Sequence, residues 1–353
     1  MPDSSLQLLQ MAGEGAVLVR RGRVVFANAD ARAALGANCV GKRVAELFGE
    51  EVSGGQSRAF LAQICLGNHP YLLRVAQLEG EQIFFLRPQE KLPAVLNQPF
   101  LYALRSTLMN MTLASEKLRE EAERLQNSLL LEKLSAVTRS QFQIRRMINN
   151  ASLILSLAEG SAVCAPQVFS LGALCASVVE AAGALLPQIR FSCSCSGELP
   201  IRADPRLVKE LLINLLSNAV RHAKGCTRVS VSLLEARQSV VLAVDDDGCG
   251  IPAEELPLVF DRYRHSFELS RMGEGPGLGL TAVRLIAQLH GGTLLLESRE
   301  GRGTTLRVSL HRDTTEQLRA PQDEDAPLWQ TRDLLTGFAD SLPLRCFREQ
   351  YLD

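Results

Sequence analysis

The chain has 353 residues, 46% of them hydrophobic and 22% charged, with a formal net charge of −1 at pH 7. That length suits two or three domains, each able to bury a core, and the composition excludes a disordered chain. The near-zero charge gives no general attraction to nucleic acid or to an anionic membrane.

The N-terminus, MPDSSLQLLQ, lacks the basic-then-apolar order of a signal peptide. No apolar run approaches the roughly 20 residues that cross a bilayer, and LLINLL at 211–216 is far too short. A cytoplasmic protein without membrane insertion is therefore expected. Residues 11–88 read as a small α+β unit. AVLV and VVFA flank Arg20-Arg21-Gly22-Arg23, a hairpin signal, and ADARAALG is a short helix ended by Gly36. YLLRVA and QIFFLR are two more strands, and His69 beside Pro70 reads as a loop residue. GEGAVLVRRGRVVFANADARAALG followed by VGKRVAELFG resembles a PAS sensory domain in order and spacing. The resemblance implies a sensor domain over residues 1–92.

Between Phe100 and Glu159 there is neither Gly nor Pro, which predicts helix throughout. Positions 101, 104, 108, 111, 115, 118, 122, 125 and 129 step by three and four and are mostly Leu or Met. Such a heptad seam needs a partner helix. A second amphipathic run, FQIRRMINNASLILSLAEG, stops at Gly160. The two runs predict a helical hairpin over residues 98–160 that dimerises as a four-helix bundle, with its turn within 124–138; one continuous coiled coil is the alternative. A linker at 161–167 holds Pro166, after which helix and strand patterns alternate over 168–312. Helices on one side of a mixed sheet then give a two-layer α/β sandwich. Within it, Cys193 and Cys195 would share one face of a strand, but two thiolates do not make a four-ligand metal site. Nine scattered cysteines without a CxxC pair suit reduced, inert thiols. The extension 313–353 has an acidic run, Asp323-Glu324-Asp325, then Trp329 and an apolar stripe of Leu334, Leu335, Phe338 and Leu342. It reads as a solvated linker plus a docking helix, or as a partner-binding tail.

Four blocks within 168–312 carry chemistry. ELLINLLSNAVRHA places Asn214, Asn218 and Arg221 at i, i+4 and i+7, on one helix face. Amides on an apolar helix are costly unless something binds them, and an Asn oxygen is a hard ligand suited to Mg²⁺. AVDDDGCGIP ends a strand in Asp246-Asp247-Gly248-Cys249-Gly250. A carboxylate accepting from the exocyclic amine of adenine makes a charge-assisted hydrogen bond, and the glycines let backbone approach a flat ring. VFDRYRHS follows, then GEGPGLGLTAV, where Gly275, Gly277 and Gly279 form a loop into a helix whose free N–H groups favour phosphate.

In this order, and followed by HGGTLLLESREGRGTTLRVSL, the blocks resemble the N, G1, F and G2 boxes of the Bergerat-fold ATPases in their histidine-kinase branch. The resemblance implies Asn218 as the Mg²⁺ ligand, Asp246 as the adenine contact, and Asn214, Arg221 and His222 near the phosphates of ATP. It implies Gly248 and Gly250 at the base, Gly275, Gly277 and Gly279 in a lid, and Thr304 beside Asp246. Gyrase-like relatives place a Glu where Asn214 stands; an amide cannot accept a proton near neutral pH, which favours transfer of phosphate over its hydrolysis. Cys249 reads as a small filler between pocket glycines.

The family sets a dimerising hairpin just before this domain, and FLYALRSTL resembles its phosphoacceptor box. Tyr102 stands where the family has histidine, and Ala103 where it has an acid. A phenol of pKa ≈ 10 is only about 0.1% ionised at pH 7. No histidine lies between His69 and His222. The resemblance implies a homodimeric sensor with a response regulator as partner. Three readings follow: a kinase with an unorthodox acceptor or one supplied in trans, a pseudokinase acting through nucleotide-dependent binding, or a Ser/Thr kinase of the anti-sigma type. Kinases of the third kind generally lack the hairpin.

Overall fold

The computed structural model describes residues 9–10, 12–49, 52, 59–66, 69–78, 81–88, 97–195, 199–222, 225–236, 238–252, 256, 278–312 and 330–348. Strands β1 (Gly15–Arg20) and β2 (Arg23–Ala27) pair antiparallel around Arg21 and Gly22, both at positive φ. Asn28 caps α1 (Ala29–Leu35): its Oδ1 accepts from Ala31 N and from Ala16 N, each at 2.9 Å, tying the helix to β1. Helix α2 (Val44–Phe48) sets Phe48 on Phe84 with ring centroids 5.3 Å apart. Strands β3 (Ala59–Leu66), β4 (His69–Leu78) and β5 (Glu81–Pro88) complete the order β2-β1-β5-β4-β3. His69 opens β4 opposite Leu66 rather than lying in a loop.

Helices α3 (Gln98–Arg124) and α4 (Ser128–Ala158) run antiparallel. Arg119 donates to Thr138 Oγ1 at 2.7 Å, Gln141 to Ser115 Oγ at 2.8 Å, and Gln98 to Ser156 Oγ at 3.4 Å. The chain reverses at 125–127, where Gln126 takes φ 50° and Asn127 Oδ1 caps α4 by accepting from Leu130 N. Only half of the heptad seam is used within the chain. Leu101, Leu108, Ser115 and Ala122, one per heptad, are buried, whereas Leu104, Met111, Leu118 and Leu125 are 37–62% exposed. Burying one such side chain contributes about 1.5–3 kcal/mol, so the exposed stripe is a strong incentive to associate.

The second half contains β6 (Gln167–Ser170), α5 (Leu171–Leu185), β7 (Arg190–Ser194), β8 (Pro200–Ala203), α6 (Pro205–His222), β9 (Arg228–Glu235), β10 (Ser239–Asp246), α7 (Leu278–Leu289), β11 (Leu294–Arg299) and β12 (Gly303–His311). The sheet is mixed, with β7 parallel to β9 and the β9-β10-β12-β11 pairs antiparallel. Val229, Val231, Val240, Leu242, Val244, Leu294, Leu296, Leu306 and Val308 alternate along their strands and share one core with α5, α6 and α7. Cys193 and Cys195 do share a face, with their Sγ atoms 2.9 Å apart.

The two halves form one ten-stranded sheet, because β3 pairs antiparallel with β11 (Leu61 with Leu296, Gln63 with Leu294). Helix α8 (Thr331–Gly337) and the 3-10 turn Leu344–Phe347 then pack on α4, and α8 also meets α6. Leu334, Leu335, Phe338 and Leu342 are at most 1% exposed. Among the described residues no helix is long and apolar enough to cross a membrane. Trp329 and the run 323–325 lie outside the described residues.

Candidate nucleotide-binding site

Three consecutive aspartates end β10, and the structure gives each a different fate. Asp245 accepts from Thr305 Oγ1 on β12. Asp247 accepts from Thr227 N at 2.8 Å, Thr227 Oγ1 at 2.7 Å and Arg228 N at 2.9 Å. Desolvation would raise its carboxyl, but these donors prevail and hold it well below the usual carboxylate range. Asp246 is held differently. Its Oδ1 accepts from Gly248 N at 3.0 Å and Thr304 N at 3.3 Å, yet burial pushes its carboxyl up to about 6. The antiparallel register puts Asp246 directly opposite Thr304, whose Oγ1 lies 2.8 Å from Ser298 Oγ.

The loop after Asp246 lies flat on the β11–β12 turn. Gly301 N donates to Cys249 O at 2.7 Å and Ile251 N to Ser298 Oγ at 2.8 Å. Gly250 has φ 66°, and a Cβ there would stand 2.1 Å from Arg299 O. Gly303, which the motif reading passed over, has φ 92° and would place a Cβ 1.9 Å from Asp246 O. Cys249 is exposed, so it fills no gap between the glycines.

Helix α6 carries the other half of the site. Pro205 opens it, and the buried Asp204 caps it by accepting from Arg206 N at 3.0 Å. Asn214 and Asn218 both face Gly279 in the first turn of α7: a Cβ there would lie 3.0 Å from Asn214 Oδ1 and 3.6 Å from Asn218 Oδ1. Asn218 Nδ2 is buried and, among the described residues, has no hydrogen-bond partner. Asn214 donates to Glu210 O at 2.9 Å, and its amide is paired with that of Asn150 on α4, at 3.3 and 3.4 Å. Arg221 turns toward the C-terminal segment and pairs with Asp340 at 2.9 Å. His222 is the last residue of α6. Gly275, Gly277 and VFDRYRHS lie outside the described residues.

Thus Asp246, Gly248 and Thr304 come together at one strand end, and Asn214, Asn218 and Gly279 at the α6–α7 contact. Asn150 and Asp340 were not identified from sequence. The adjacent Asn149-Asn150 pair inside an otherwise amphipathic helix was a usable signal; Asp340, far along the chain, offered none.

Residues 203–314 match the family model described as histidine kinase-, DNA gyrase B-, and HSP90-like ATPase. Histidine protein kinase DivJ of Caulobacter vibrioides is 39% identical over 114 residues, 32% of this chain and 19% of that protein. Adaptive-response sensory kinase SasA of a Synechococcus species is 32% identical over 223 residues, 60% of this chain and 57% of that one. Over this segment the chain is similar to sensor histidine kinases. Among solved structures, the ATP-binding domain of PrrB from Mycobacterium tuberculosis is 30% identical, covers 43% of this chain and 98% of that domain, and superposes with a TM-score of 0.35. The chain spans only about a fifth to just over half of the length of these curated relatives. The matched segment runs from the last residue of β8 through β12, so Asp246, Asn214, Asn218, Gly279 and Thr304 all fall inside it.

Proposed function

We propose that the chain binds ATP·Mg²⁺ between Asp246 and the α6–α7 contact, and uses nucleotide occupancy in two-component signalling without phosphorylating a histidine of its own helix pair. The observation that carries this reading is the buried, unpartnered amide of Asn218 against Gly279, in a chain with no histidine between His69 and His222. A buried amide without a partner costs about 1–3 kcal/mol, and a phosphate oxygen would satisfy Nδ2 while Mg²⁺ takes Oδ1. Asp246, held up by burial, gains a partner when it accepts from an adenine amine. Mg²⁺, when bound, neutralises phosphate charge. The residues of the chain hold the base, orient the phosphates and close the glycine cradle of Gly279.

On this reading residues 1–92 form the PAS-like sensor, 98–160 the dimerising hairpin, 168–312 the ATP-binding domain of Bergerat type, and 313–353 an extension. The exposed stripe Leu104, Met111, Leu118 and Leu125 supports pairing with a second copy as a four-helix bundle. A response regulator is the partner proposed from the family, and a cytoplasmic setting fits both. One observation favours a second reading, transfer to the Tyr102 hydroxyl. Tyr102 is 67% exposed, and its neighbour Leu101 packs with Leu278 and Ala282 at the start of α7.

The metal assignment is tested by titrating ATP, with and without Mg²⁺, into the wild type and Asn218→Ala. Mg²⁺ is expected to tighten ATP binding to the wild type by about tenfold or more, and most of that gain is lost in the variant. Adenosine binds both equally. An Mg²⁺ increment of the same size in both proteins would remove Asn218 from the site.

A further inference from the structure

The C-terminal segment 330–348 touches both the helix pair and the ATP-binding domain. Gly337 lies so close to α6 that a Cβ would stand 2.1 Å from Ile213 Cγ2. At the other end the Phe347 ring sits 5.5 Å from that of Phe142 on α4, and its carbonyl accepts from Arg119 Nη2 at 3.3 Å. Its acidic residues are spent on two other elements. Asp333 pairs with Lys209 of α6 at 2.8 Å. Asp340 Oδ2 lies 2.8 Å from Arg146 Nη1 of α4 and 2.9 Å from Arg221 Nη1 of α6, and the three side chains are only 11–19% exposed.

Two guanidiniums thus share one carboxylate in a largely buried place. Desolvation, and then the charge of Arg221, lower the pKa of Arg146 against the stabilising effect of Asp340. Arginine binds carboxylate and phosphate with the same planar donors, so a polyphosphate is an anion chemically able to replace Asp340. A short step along α6, Asn214 is tied to Asn150 of α4. Arg221 and Asn214 therefore both hold the ATP-binding domain on the helix pair.

We propose that segment 330–348 is an autoinhibitory strap. Asp340 occupies the arginine that otherwise meets the nucleotide's phosphates, and through Arg146 it fastens the ATP-binding domain to α4. Strap and triphosphate compete for Arg221, and nucleotide entry loosens the joint between α4 and α6. The helix pair thereby senses occupancy without receiving a phosphoryl group. This rests on the reading of Asn218 and Arg221 as the phosphate side of the site.

The test uses the full chain. ATP and adenosine are titrated by calorimetry into the wild type, Asp340→Ala, Asp340→Asn and Asp340→Glu. Competition predicts that ATP binds about tenfold more tightly to the Ala and Asn variants than to the wild type. Adenosine, which has no phosphate for Arg221, binds all four alike, and Asp340→Glu returns ATP affinity toward the wild-type value. A purely structural role for Asp340 would weaken both ligands together. The Asn variant keeps the side-chain shape should Ala fail to fold. Unchanged or weaker ATP binding in a folded variant, with wild-type binding intact, overturns the strap. If neither ligand binds the wild type, the pocket reading itself falls and the strap with it.

Discussion

Asp246→Asn is expected to lower ATP affinity about a hundredfold while leaving the fold intact. A hundredfold loss is about 2.7 kcal/mol, within the range of about 1.5–3 kcal/mol for one hydrogen bond to a charged group. Asparagine keeps one acceptor oxygen, and Gly248 N and Thr304 N already point at that position. Its amide nitrogen would then meet the adenine amine, donor against donor. The loss cannot be ascribed to unfolding, because the fold disfavours the charge that this substitution removes. With the carboxyl raised to about 6, the folded state binds the proton more tightly than the unfolded state. Stability of the unliganded wild type therefore rises as pH falls from above 6 toward the ordinary Asp value near 4, and Asp246→Asn lacks that rise. ATP affinity moves the opposite way and weakens below about pH 6, as the accepting carboxylate is protonated. Melting curves and titrations at pH 5, 6 and 7.5 read both trends; parallel trends would show that Asp246 is not the acceptor.

Gly303→Ala is expected to be strongly destabilising, although it adds a single methyl group. The position needs φ 92°, and the added carbon would stand 1.9 Å from the carbonyl oxygen of Asp246. Left-handed strain and a backbone clash together cost about 3 kcal/mol or more. The two strand ends that bring Asp246 opposite Thr304 must separate, so base binding is lost along with stability. Thermal unfolding and adenosine titration are the measurements. An alanine variant that melts within a degree or two of the wild type, with adenosine binding intact, would mean the turn relaxes freely.

Sequence carried the site further than it carried the assembly of the parts. The order of the blocks placed Asp246, Gly248 and Thr304 near one another because strand register is local to the β10–β12 pair, and the motif marks both strands. The resemblance singled out Asp246, but not the donors that occupy its neighbours Asp245 and Asp247, which only the folded structure brings to them. Gly303 reads as one more turn glycine until Asp246 is placed behind it. The seam in α3 was legible as a period, but not that Leu101 and Leu108 would be buried while Leu104 and Met111 stay exposed. The join of β3 to β11 combines backbone pairing with apolar contacts across it, Leu61 and Leu72 entering the core of the second half and Leu295 that of the first, and a strand's alternating pattern does not name its partner. The docking of Asp340 on Arg146 and Arg221 is a tertiary event between distant residues, invisible to periodicity.

The central claim is that the chain holds nucleotide and signals its occupancy without taking a phosphoryl group onto any of its own residues. Incubation of the full chain with γ-labelled ATP and Mg²⁺, followed by acid treatment, addresses it most directly. Expected is a protein that binds ATP in parallel titrations and retains no label before or after acid. Acid-labile label on the chain would contradict the claim by revealing a phosphohistidine elsewhere, and acid-stable label lost in Tyr102→Phe would contradict it by making Tyr102 the acceptor.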